Sequence, residues 1–163
     1  MLLSPHFTLE ELTASEIAAR RGLDNTPDGE VVAHLRLVAI MLERVRDLLS
    51  GGELNGVPVL VSSGYRSPAV NAAVGGSATS AHCHGLAADF RAPAYGSPYD
   101  VARAIAAAPL MADLDQVIYE HTWVHIGLPR PGTMPRQVAM TLASRPGEPA
   151  RYVGGIVLQG SVA

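Results

Sequence analysis

The sequence predicts an α+β fold, N-terminal helices packed on a small, mainly antiparallel sheet. Three observations predict it. Val31, Leu35, Val38, Leu42, Val45 and Leu49 recur at three or four residues, the mark of one long amphipathic helix. Short apolar and β-branched runs at 57–62, 86–90, 116–119 and 123–127 read as strands, the last two close enough to form a hairpin. Helical signals dominate the first third and strand signals the rest, with one inserted helix, which is an α+β order.

In chain order, Thr8-Leu-Glu-Glu11 and Thr13-Ala-Ser-Glu16 both have capping-box spacing, predicting one or two short helices that stop at Gly22. Residues 24–29 are a turn-rich connection in which Thr26 reads as the N-cap of the long helix, with Pro27 at its first position. That helix closes at Gly51-Gly52, and its polar face (Glu30, Arg36, Glu43, Arg46) reads as solvated. Ser67-Pro68 opens a brief helix through Val74, ended by Gly75-Gly76. Ser97-Pro-Tyr-Asp100 caps a further helix through Ala108, stopped by Pro109. Residues 137–142 and 151–153 suggest two more strands among Pro- and Gly-rich stretches at 129–135 and 144–149. The expected organisation is a single domain over 1–163: a helical part at 1–50, a core at 57–128 and C-terminal strands at 129–163.

Composition narrows the function. Hydrophobic residues at 48% against 17% charged mark a globular chain, and a net charge of −3 offers no basic footprint for nucleic acid. One cysteine among 163 residues excludes an internal disulfide. No apolar run is long enough to span a membrane, and the N-terminus lacks the pattern of a signal peptide, so synthesis in the cytoplasm is the expectation.

The densest chemistry is Ser80-Ala-His-Cys-His-Gly-Leu-Ala-Ala-Asp89, which packs two histidines, the cysteine and an aspartate into ten residues. Imidazole, thiolate and carboxylate are the ligands of a borderline metal such as zinc. His125 shares one strand face with Trp123 and Gly127 and can add a ligand from a rigid platform. A histidine beside a tryptophan is more often structural, but a nearby cluster lacking a third ligand changes that balance. Two sets compete on chemistry alone: His82, His84 and His125, or His82, Asp89 and His125. Either leaves a fourth position for water. Cys83 as a ligand or nucleophile has no further support in the sequence.

Ser80-x-His82-x-x-Gly85-x-Ala87-x-Asp89 resembles the signature of the zinc DD-peptidases. That family includes D-alanyl-D-alanine carboxypeptidases, dipeptidases and phage L-alanyl-D-glutamate endopeptidases, and shares its fold with hedgehog signalling domains. Ser63-Gly-Tyr65-Arg66-Ser-Pro-x-x-Asn71 resembles its upstream motif and Trp123-Val-His125 its closing W-x-H, while the N-terminal segment looks like phage and prophage versions. The resemblance implies one zinc ion on His82, Asp89 and His125. It places Arg66 on the substrate or the oxyanion, Tyr65 and Ser80 on the substrate side, and Gly85 and Ala87 in structural roles. Two neutral imidazoles and one carboxylate leave such a site with net charge +1, which keeps the metal Lewis-acidic.

This chain departs from the pattern at the general base. Many relatives carry an acid three residues before the last histidine, and here that position is Thr122. Glu120, five residues before His125, is the chosen base, because a hairpin turn returns it to the metal face; Asp115 is the reserve. The expected activity is zinc-dependent hydrolysis of a D-amino-acid-containing bond in peptidoglycan stem peptides. It would be carried out by a monomer that reaches the cell wall as phage endolysins do. The alternative, kept alive by Thr122, is a zinc-stabilised wall-binding or virion module without turnover.

Overall fold

A computed structural model describes residues 1–52, 56–144 and 147–158, and it is α+β. Residues 145 and 146 of the expected 144–149 loop, and 159–163 of the C-terminal part, lie outside the described residues. Six strands form one sheet in the order β1-β2-β4-β3-β5-β6: β1 Leu60–Ser63, β2 Ala87–Arg91, β3 Gln116–Tyr119, β4 Val124–Gly127, β5 Val138–Ala143 and β6 Arg151–Gly154. The helices are α1 Leu9–Thr13, α2 Glu16–Arg21, α3 Gly29–Ser50, α4 Pro68–Ala73 and α5 Pro98–Ala107. Short 3-10 turns cover Ala81–His84 and Pro109–Asp113. By packing, the chain divides into two compact units, Met1–Arg44 with Val61–Asp89, and Val45–Leu60 with Phe90–Ala163.

In the first unit, local chemistry sets each helix end. The Thr8 hydroxyl accepts from the Glu11 amide and the Ser15 hydroxyl from the Ala18 amide, capping α1 and α2, and Gly22 ends α2 at φ 63°. Helix α3 starts later than Thr26-Pro27 implied. Asp28 is its cap, its carboxylate accepting from the Val31 amide at 2.8 Å, while Asp24 takes the Thr26 amide. Leu35, Val38 and Leu42 of α3 are fully buried. The connection before α3 also holds the segment after β1. Asn25 donates to the Tyr65 carbonyl and accepts from the Ser67 amide, and the Ser67 hydroxyl donates to the Asp24 carbonyl.

In the second unit, α5 packs on β3 and β4, opened by a capping box between Ser97 and Asp100. Val101, Ile105, Leu114, Val117 and Ile126 are buried there. Strands β3 and β4 pair antiparallel with Gln116 opposite Gly127 and Ile118 opposite His125. Strand β5 runs parallel to β3, and β6 antiparallel to β5. Arg46 departs from the expected solvated face of the long helix: only 9% of its surface is exposed, and its guanidinium comes within 2.9 Å of where a Cβ at Gly56 would stand.

Candidate metal centre

The Ser80 motif is a turn followed by a strand. Ser80 caps the 3-10 turn, its hydroxyl accepting from the His82 amide at 3.3 Å. Gly85 ends the turn at φ 65°, a left-handed conformation that L side chains rarely adopt, and a Cβ there would also meet Val31 at 2.9 Å. The turn aims His82 inward and leaves His84 exposed. The His84 carbonyl bonds the ring of His34. The competing ligand set with His84 needs residues 82–84 extended to put both rings on one face, and the 3-10 turn over Ala81–His84 does not provide that. Strand β2 then carries Asp89, buried like its neighbours.

His82 is locked by the segment upstream. Its Nδ1 lies 2.6 Å from the Gly64 carbonyl, and its own carbonyl accepts from the Arg66 amide at 3.2 Å. A carbonyl can only accept, so Nδ1 carries a proton, and in the neutral ring Nε2 is the nitrogen that keeps the lone pair. Gly64 is held in turn against α1, where a Cβ would meet the Leu12 carbonyl at 2.3 Å. Nε2 of His82 lies 3.1 Å from Asp89 Oδ1. Two acceptors at that separation require a shared proton or a shared cation, and ligand atoms on a tetrahedral zinc stand roughly 3.3 Å apart. The other oxygen, Oδ2, accepts from Arg66 at 2.5 Å, and Arg66 Nε donates to the Ser63 hydroxyl at 2.8 Å.

Ligand atoms of His82, Asp89 and His125 all lie within 4.8 Å of one another, and all three residues are buried. This is the only such group found among the described residues. The donor set, two imidazoles and one carboxylate, suits zinc with an open position. His125 stands on β4 opposite Ile118, its Nε2 3.0 Å from the Gln116 amide nitrogen.

Glu120 lies one step beyond the β3–β4 ladder. Its amide donates to the Trp123 carbonyl at 3.1 Å, which continues the register one pair further. Alternation along β3 puts Gln116, Ile118 and Glu120 on one face, the face of His125. Thr122 sits in the tight loop, its amide bonded to the Glu120 carbonyl at 2.7 Å. Asp115, the reserve base, is committed elsewhere: both carboxylate oxygens bond Arg136, whose hydrogen bonds hold its pKa below the usual carboxylate range. Burial raises the Cys83 thiol, with Arg66 opposing, and the thiol joins no ligand group among the described residues. Tyr65 is only 7% exposed, and burial raises its phenol, with the carboxylate of Asp28 adding to the effect.

The sequence assigned no role to Ser63 and Gly64, although both stand in the upstream motif, and none to Gln116. A main-chain acceptor leaves no side-chain signal. Gln116 was findable from the hairpin register, which sets it on the His125 face. A family model described as Peptidase M15 matches residues 5–127, well over half of the chain. A comparison with curated proteins gives no match.

Proposed function

The chain belongs to the peptidase M15 family of zinc-dependent metallopeptidases, and on that premise we propose that it hydrolyses an amide bond next to a D-amino acid in peptidoglycan stem peptides. The observation that carries the reading is the buried His82, Asp89 and His125 group with its ligand atoms in mutual reach. Zinc held there would supply Lewis acidity for the scissile carbonyl and lower the pKa of water toward ~7.

The remaining chemistry belongs to the chain. Glu120 takes a proton from the attacking water and passes it to the departing amine, so the carbonyl–nitrogen bond breaks without expelling an amide anion. Its place on the His125 face supports this role. Arg66, still 19% exposed at its side chain, meets the developing oxyanion or a substrate carboxylate while keeping hold of Asp89. Ser80 borders the site as the cap of the turn that carries His82, so it can reach substrate as well as hold the turn. Tyr65, largely covered, shapes the substrate side by packing. The finer reading is a wall-lytic enzyme of phage-endolysin type, supported by the likeness of its N-terminal segment.

Digestion of purified peptidoglycan by the zinc-loaded protein, read by mass spectrometry of the muropeptides, tests the proposal. New amino termini at a D-amino-acid bond are expected, and they name the bond. Tight zinc binding with intact muropeptides would overturn the peptidase reading in favour of a wall-binding module.

A further inference from the structure

We propose that Gln116 is a positioning residue for His125, and that Gly127 provides the space in which it acts. The inference rests on the reading of His82, Asp89 and His125 as a zinc site. Gln116 opens β3 directly opposite Gly127, two residues along β4 from His125 and on the same face. A Cβ at position 127 would meet Gln116 Cγ at 3.0 Å and its amide nitrogen at 3.3 Å. The glutamine side chain therefore lies across bare backbone, through the space a side chain at 127 would fill, and ends 3.0 Å from His125 Nε2.

A histidine that binds a metal has one nitrogen lone pair to give, so its other nitrogen must carry the proton. With Gln116 at Nε2, the tautomer compatible with metal is Nε2–H donated to the amide oxygen. A half-turn of the amide about its terminal bond sets Oε1 at that point. Nδ1 then presents the lone pair to the metal. An amide N–H donating to Nε2 would instead leave the proton on Nδ1 and silence the ligand. His82 follows the same logic with its ring reversed, because the Gly64 carbonyl holds Nδ1–H. Each imidazole is thus oriented by a neutral carbonyl, one from the main chain and one from a side chain. Neutral acceptors fix the rings without adding negative charge, which preserves the +1 character of the loaded site.

The test compares zinc affinity, by chelator competition, in the wild type, Gln116→Met, Gln116→Glu and Gly127→Ala. Metal-free thermal unfolding is followed for each. Methionine keeps the length and removes the amide acceptor, so affinity is expected to fall about 10- to 100-fold with the metal-free transition unchanged. Glutamate keeps an acceptor and should retain affinity. Gly127→Ala should weaken binding with Gln116 intact, because its methyl displaces the amide. Long-range proton–nitrogen NMR correlations of the metal-free wild type are expected to show Nε2–H at His125, a preference lost in Gln116→Met. Wild-type affinity in Gln116→Met, or a proton on Nδ1 in the wild type, overturns this inference alone. A wild type that binds no zinc overturns both this inference and the zinc reading beneath it.

Discussion

Asp89 divides its carboxylate between two neighbours, Oδ1 toward His82 and Oδ2 toward Arg66. Oδ1 thereby stands beside the His82 ligand nitrogen, while Oδ2 anchors Arg66 next to the metal ligands. Arg66→Lys keeps the charge but cannot reach Ser63 and Asp89 together, so kcat/KM should fall roughly tenfold or more, ~1.4 kcal/mol, with zinc retained. Glu120→Gln should leave zinc affinity intact and cut turnover by about 10²–10⁴ in the muropeptide assay; full activity would remove Glu120 as the base. Gly64→Ala reaches the metal through packing. Its methyl meets the Leu12 carbonyl, so stability should drop by about 1–3 kcal/mol and zinc affinity should fall as the His82 ring loses its anchor. Denaturant melts and chelator competition measure the two effects. At this scale the sequence revealed side chains with a distinctive spacing, His82 to Asp89 above all. It concealed the Gly64 carbonyl, since every residue carries one.

Among the elements, the β3–β4 hairpin decides most. Its strands were legible from their apolar runs and lie within a residue of their expected ends. The face on which Glu120 falls follows from the register, which Glu120 and Trp123 extend by one hydrogen-bonded pair. Other elements were less legible because tertiary contacts override local signals. Asp28 rather than Thr26 caps α3, and Arg46 is covered beside Gly56 where helical periodicity alone implied solvent. Before β5, Arg136 clamps Asp115 and the Gln137 amide bonds the Leu114 carbonyl, which fixes the strand's entry beside β3. The lowered pKa of Asp115 sets the sign of the pH effect: the stabilisation is whole above the ordinary aspartate value of about 3.9 and is lost as pH falls through the folded value. Arg136→Ala should cost no more than about 1 kcal/mol near neutrality, given how exposed the arginine is. The difference from wild type should vanish in acid, which thermal melts across pH will show.

For the molecule as a whole, the fold class was readable because helix and strand signals segregate along the chain. The parallel placement of β5 beside β3 was not, since strand order depends on partners distant in sequence. Zinc should raise the unfolding midpoint in proportion to the logarithm of its free concentration, about 2.7 kcal/mol at a hundredfold excess over Kd. His125→Ala should abolish that dependence. Strands β5 and β6 lie beyond the residues that match the family, yet they complete the sheet on the β3 side. A chain cut after Leu128 should melt lower and self-associate through the bared β3 edge, visible as a shift in size-exclusion elution. The parallel pairing of β5 with β3 also bears on the order of assembly. The β3–β4 hairpin closes over residues 120–123 alone, whereas β5 meets β3 only after the chain has run through residues 120–137. Loop-closure entropy therefore favours forming the hairpin that carries His125 first and adding β5 to its edge afterwards.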